Sequence, residues 1–477
     1  MSLKKNKIRN NSMIYTIRNV MNIIFPLVTF KYASGIISAS GVGAASYASA
    51  IIGYFSLIAQ LGINTYALAE GAKLRSNKEK FDEFCNIMFT INVISTVFAY
   101  LVLVFFLINV KDLAKYRELI LIYSVTIGLT TIGMEWIFVV EERFIYITAR
   151  SIIIQAISLL LLVIFVKQKE DVAVYVGINV LANSGSYILN YFYLKRNKKI
   201  KLISIKKCAK YVKPILVIWV ANVASMIYIN ADTIVIGSIL GSVEVGIYSA
   251  ASKIVKAVCV PITSICTVSG PDLASAIGKK DRNETTELTK TVITFASFLI
   301  FPCIIGIWLF GDLAILLLSG KEFLGGFTAE KILSLDIFLS PLNGFFVSQI
   351  LIPAQREKKA TKALALAAIG NIILDILLIP KFFINGAAIA TVFSESIVLI
   401  ICVPTKYLCL PEINKIIDLK RISSKVWNAM FCSLSIVFVY EGIKYFVENR
   451  IIQLIFTIVI GGIIYCFFYW RINCKFS

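Results

Sequence analysis

Lys253 and Lys256 lie inside a long apolar run, and charges in that setting require a chemical reason. A charge at the centre of a bilayer costs roughly 2.5–3.5 kcal/mol on insertion scales, so an intramembrane charge points to function by default. Three residues apart, the two lysines share one helix face. They follow Ser249-Ala250-Ala251-Ser252, a small-residue stretch that lets helices approach closely. Two chemistries fit: a cationic wall that holds an anionic substrate, or neutralisation by an acid such as Asp232 in the preceding apolar run. Arg18, one turn into the first apolar run, and Lys31, beyond Pro26, are further cavity candidates, although either could snorkel to headgroups. Arg150 stands at the start of its run, where the membrane interface accounts for it. Among acids, Asp232, Glu135, Asp336, Asp375 and Glu395 fall within apolar runs. Each could bind a coupling proton or Na⁺, or pair with a basic residue. Asp232 leads as a coupling site, and Glu135, beside Trp136, is placed near the cytoplasmic end of its span.

Other chemistries lack their residues. The chain has no histidine, which removes the usual general base and proton relay. Its 10 cysteines are scattered, without a C-x-x-C pair, and read as small buried hydrophobes rather than as a zinc site or a disulfide framework. No G-x-x-x-x-G-K-[ST] motif occurs, and no connection is longer than about 20 residues, so a nucleotide-binding domain has no room. No catalytic residue, metal or cofactor is expected beyond a coupling H⁺ or Na⁺.

The elements that must position these charges are membrane helices. Hydrophobic residues make up 58% of the 477 and charged ones 16%, with a mean hydropathy of +0.82. Soluble proteins carry about 25% charged residues. The apolar residues gather into runs about 20 long, the length that crosses a hydrocarbon core of about 30 Å. About fourteen spans result. The first seven are near 14–36, 44–68, 84–108, 118–140, 144–166, 172–194 and 212–237. The others are near 244–271, 289–313, 329–353, 361–380, 383–408, 426–446 and 451–470. Lys4, Lys5, Lys7 and Arg9 imitate a signal peptide, but the run that follows is too long for one and is read as a retained first helix.

The net charge of +20 would suggest nucleic acid in a soluble protein. Here Lys and Arg concentrate in alternate short connections, which is the positive-inside pattern and excludes nucleic acid as the expected partner. Both termini are placed in the cytoplasm. The largest basic connection, Lys195 to Lys213, divides six spans from the next six. A weak internal repeat agrees: Val42-Gly43-A-A-Ser46 overlays Val245-Gly246-I-Y-Ser249, each opening the second helix of its half. Many secondary transporters are built from such duplications. The expected division is 1–200 for an N-lobe, 201–410 for a C-lobe and 411–477 for two accessory helices.

Three separated stretches resemble one family. They are P-L-V-T-F-K-Y-A-S-G onward from Pro26 to Arg75, M-E-W-I-F-V-V-E-E-R-F from Met134, and N-A-D-T-I-V-I-G-S-I-L-G from Asn230 to Lys253. Together they resemble the bacterial polysaccharide flippases, relatives of the MATE multidrug antiporters, over roughly residues 12–410. The resemblance implies two six-helix lobes around a central cavity, an all-α polytopic fold, and an undecaprenyl-diphosphate-linked oligosaccharide as substrate. It implies a bacterial inner-membrane location, membrane lipids and other polysaccharide-assembly proteins as partners, and O-antigen, capsule or another surface polymer as product. Lys253, Lys256, Arg18 and Lys31 would hold the diphosphate, with Asp232, Glu135 and Asp336 for ion coupling or charge pairing. Lys31 stands where the family usually has proline, and Gly35 with I-I-S-A-S replaces a basic residue and an L-G-P pattern. An expected cation of the first helix is thus missing, and whether Lys31 replaces it stays open. A multidrug antiporter would need an acidic or apolar cavity, which the lysines oppose. A membrane-embedded polymerase or glycosyltransferase would carry a large loop with paired acids and histidine, which this chain lacks.

Overall fold

The computed structural model describes residues 21, 24–198, 200–403 and 419–474, all in helices, turns and short connections with no strand among them. The chain divides into two compact units, Met1–Gly246 and Ile247–Ser477.

In the first unit, a helix over 24–34 (α1) precedes α2 (Ser38–Gln60), α3 (Ile63–Leu74) and α4 (Lys78–Asn109). Next come α5 (Arg117–Gly133), α6 (Glu135–Val140), α7 (Phe144–Phe165), α8 (Val172–Val180), α9 (Ser186–Asn197) and α10 (Ile205–Ile239). A π-helical segment, Leu181–Gly185, joins α8 to α9. The small residues of α2 allow close packing. A Cβ on Gly43 would overlap the Ser242 carbonyl oxygen, and one on Gly246 would overlap that of Ala39. These are the two glycines that the sequence repeat aligns. Beneath α3 and α4, Phe84, Met88, Trp136 and Phe138 form a buried core, with Phe84 edge-on to Trp136 at 5.9 Å. Such an aromatic pair adds about 0.5–1.5 kcal/mol beyond its buried area.

The second unit holds most of α11 (Ser242–Val268), then α12 (Gly270–Gly278), α13 (Arg282–Leu318), α14 (Phe327–Leu333) and α15 (Asp336–Phe345). It continues through α16 (Glu357–Phe382), α17 (Ile384–Cys402), α18 (Leu419–Phe446), α19 (Arg450–Phe456) and α20 (Gly462–Cys474). Asp281 starts α13 by accepting the Glu284 amide at 2.9 Å, satisfying one of the free N–H groups of a helix start. α16 and α17 form a tight antiparallel pair. Their turn is at Phe383, and a Cβ on Gly386 would strike the Leu378 carbonyl. The last helices are tied to α13 by polar contacts: Tyr465 and Tyr469 donate to the carbonyls of Phe298 (3.0 Å) and Thr294 (3.2 Å), and Arg450 grips Asp312 at 2.6 and 2.8 Å.

The chain is a multi-pass membrane protein. Ten described helices are long and apolar enough to cross a bilayer, or eleven with the bent pair Lys321–Leu333 and Asp336–Leu351. Phe98, Leu101, Phe105 and Ile108 on α4, and Ile369, Ile373 and Ile376 on α16, are exposed, as faces solvated by acyl chains should be. The expected fourteen is not reached among the described residues. Span 14–36 includes residues outside the description, 212–237 lies within α10, and 118–140 is broken into α5 and α6 by Met134 in the left-handed region. The division expected at Pro380 falls instead at Phe383, since α16 carries the proline within it.

Candidate functional site

Among the described residues, buried charge gathers in each of the two units. In the first unit, Met134 adopts φ 39°, which ends α5 and makes Glu135 the first residue of α6. The break frees the Gly133 carbonyl, and Asn190 of α9 donates to it at 2.9 Å. Gly133 lets α9 come this near, because a Cβ there would run into the Tyr187 ring. Across from this break, Arg150 of α7 donates to the Glu135 carboxylate and to the Ser186 hydroxyl, both at 2.5 Å. Its guanidinium also lies near the rings of Tyr146 and Tyr187, 5.9 and 5.5 Å from their centroids. The π-helical turn before α9 places Asn183 beside Ser186 at the edge of a cavity of about 210 Å³, which Glu135, Ser151 and Gln155 also line. π segments of this kind are frequent at functional sites.

This arrangement corrects the reading of Arg150 as an interfacial residue. Its side chain is only 2% exposed, and an ion pair rather than headgroups accounts for it. Glu135, for which coupling and pairing were both open, is held in that pair. Sequence reasoning also passed over Gln155, Asn183 and Ser186. The available signal was polar side chains inside apolar runs at a depth matching Glu135.

In the second unit, Lys253 and Lys256 sit one turn apart on α11, the first half-buried and the second exposed, among buried Ala250, Ala251 and Val255. Asp336 on α15 and Glu395 on α17 are buried. Both lie within electrostatic reach of the Cys259 sulfur, as does Lys256. Asn343 donates to the Glu395 carboxylate and, at 2.9 Å, to its backbone carbonyl. Asn371 and Asp375, one turn apart on α16, are also buried. A separate crevice of about 360 Å³ between α18 and α19 is lined by Val439, Gly442, Ile443, Phe446, Val447, Phe456 and Ile460, all apolar.

The remaining expected residues are more scattered. Asp232 is buried on α10, within electrostatic reach of Tyr54. Lys31 is exposed on α1, and Arg18 lies outside the described residues. Two charges beyond the spans are set by their partners. Two backbone amides, of Lys167 and Gln168, hold the Asp171 carboxyl below its ordinary range. Burial works against the charge of Lys198, but hydrogen bonds to Asp82 and Glu141 outweigh it and raise the ammonium above the usual lysine range.

A family model described as polysaccharide biosynthesis protein matches residues 8–277, and one described as MatE matches residues 218–380. A protein of Escherichia coli K12 that carries the name O-antigen transporter is 23% identical over 411 residues, covering 83% of this chain and 96% of its own. The Haloferax volcanii protein Agl15, named as a low-salt glycan biosynthesis flippase, is 24% identical over 52% of this chain and 51% of its own. Among solved structures, the lipid II flippase MurJ in an inward closed conformation superposes with a TM-score of 0.77 at 17% identity, over 97% of this chain and 99% of that one. An inward-facing MATE multidrug transporter superposes at 0.62 with 15% identity, over 79% and 92%. The fold is therefore the MurJ and MATE fold.

Proposed function

The chain belongs to the family of polysaccharide biosynthesis proteins, and we propose that it carries undecaprenyl-diphosphate-linked oligosaccharide repeat units from the cytoplasmic to the outer leaflet of a bacterial inner membrane. It is a transporter rather than an enzyme, and the movement is alternating access with both termini cytoplasmic. The observation that carries the reading is the lysine pair inside α11. A diphosphate entering a membrane protein needs fixed cations where the dielectric is low, and lysine serves phosphate as a point charge. Lys253 and Lys256 supply these, with Arg18 and Lys31 as further cations. The polar cavity at Glu135 and Arg150 offers carboxylate, amide and hydroxyl groups that suit the hydroxyls of a sugar. The apolar crevice beside α18 suits the polyprenyl chain. Asp232 and Asp336 are the proposed sites for a coupling H⁺ or Na⁺, and other membrane proteins of polysaccharide assembly are the proposed partners.

The test is reconstitution into liposomes with a fluorescent undecaprenyl-diphosphate-linked oligosaccharide, scored by protection of the label from an external quencher. Wild type should equilibrate the label across the bilayer, and Lys253→Ala should slow this about tenfold or more, the loss of one charge-assisted contact. Equal rates with and without protein would sink the proposal. A second reading, multidrug antiport, is favoured by the MatE match over residues 218–380 and opposed by the lysines. Export of a cationic dye without movement of the lipid-linked glycan would select it.

A further inference from the structure

Glu330 of α14 has 0% exposure, and neither carboxyl oxygen finds a hydrogen-bond partner among the described residues. Gly311 of α13 is the residue this side chain leans on, and a Cβ there would come within 2.7 Å of Oε2 and 3.1 Å of the Phe327 ring. Trp308, one turn earlier on α13, donates its indole N–H to Ser334 at 2.9 Å and so pins α14 to α13 beside the carboxyl. Charged groups on the elements around α14 are Asp312 on α13, whose others (Arg282, Glu284, Glu287 and Lys290) stand about six turns or more from Gly311, Lys321 and Glu322 in the preceding turn, Glu395 on α17, and Lys331 on α14 itself. The Lys331 ammonium is spent on the rings of Phe327 and Trp308, 4.2 and 5.8 Å from their centroids. Among the described residues, the one charge that reaches Glu330 is Asp312, of the same sign, and Arg450 already grips it.

An ion without water, donor or counter-charge is too costly to keep in a protein interior, and such a group neutralises instead. A metal cation is a poor neutraliser here. The surroundings are a glycine, two aromatic rings and a hydroxyl already engaged, and no group of three or more acidic, cysteine or histidine side chains gathers among the described residues. We propose that Glu330 is a proton-binding site of the transport cycle, loaded in this conformation and emptied when the bent pair of α14 and α15 moves away from Gly311. The two halves of that pair meet at 51° across a short break at Ser334 and Leu335, which gives the site an element able to move. The inference takes its meaning from the transporter reading, but its first test does not depend on it.

That test is the infrared difference spectrum of wild type minus Glu330→Gln in lipid at neutral pH. The carbonyl stretch of a protonated carboxylic acid should be present in wild type, absent in the variant, and unchanged by added Na⁺. Absence of such a band, or its loss on adding Na⁺ at constant pH, overturns the proposal. If Glu330→Gln does not accumulate, Gly311→Ala, which crowds Oε2, should shift the same band, and an unshifted spectrum counts against the site. In liposomes, the ratio of flipping rates with and without a pH gradient should differ from one for wild type and fall to one for Glu330→Gln. A wild-type ratio that survives in the variant also overturns the proposal. An infrared band in a protein that flips no lipid-linked glycan would leave the proton site standing and the flippase reading fallen.

Discussion

Arg150 carries its charge in the membrane by sharing it with Glu135, Ser186 and two tyrosine rings. Removing one member of a buried pair leaves the other uncompensated, which costs more than the pair contributes. Arg150→Met should therefore destabilise the protein by about 3 kcal/mol, and Arg150→Met with Glu135→Leu should recover most of that. Thermal unfolding in detergent across this double-mutant cycle checks it, and additive losses would show that the two groups are not coupled. The sequence let Lys253, Lys256 and the acids Asp232, Asp336, Asp375 and Glu395 be picked out, because a charge in an apolar run is visible without a structure, though Glu330, at the edge of its run, was passed over. It did not reveal the pair. The span holding Arg150 was expected at 144–166 and is found at Phe144–Phe165, so its depth was known. Periodicity fixes depth along one helix, but not the neighbour across from it, and that neighbour came from a break at Met134 whose only local sign is the preceding Gly133.

Element boundaries were legible where composition changes and hidden where the backbone alone turns. α16 runs through Pro380 because the chain reverses only at Phe383, where Gly386 admits the Leu378 carbonyl. The contact of Gly43 with the first turn of α11 gives a sharper prediction. Gly43→Val should cost about 1–3 kcal/mol or more, since the clash is with backbone that cannot rotate aside. Gly177→Ala, with nothing within 4 Å of its Cβ, should leave the unfolding temperature unchanged or slightly raised. Lys198 tests the joint at the end of α9, where it bridges Asp82 at 2.9 Å and Glu141 at 3.0 Å. Its pKa is raised in the fold. The stability it contributes is thus complete below the unfolded lysine value of about 10.4 and lost as pH rises through the folded value. Thermal unfolding of wild type should fall more steeply with alkaline pH than that of Lys198→Met, and parallel curves would contradict the assignment.

For the whole molecule, the membrane class followed from composition and run length. Where the two compact units divide, at Gly246, required coordinates, because long-range packing leaves only a weak repeat in the sequence. Family membership and fold place the protein among transporters, and the cations on α11 argue for an anionic, phosphate-bearing cargo. In the proposed function, sugar recognition falls to polar side chains such as Gln155, Asn183 and Ser186, for which no short sequence code exists. The most direct test uses cells of the source organism with this gene deleted, measuring in which leaflet the lipid-linked repeat units reside. The account predicts intermediates trapped on the cytoplasmic face and loss of surface polymer, both restored by wild type and not by Lys253→Ala. Normal surface glycan with altered drug sensitivity would contradict it.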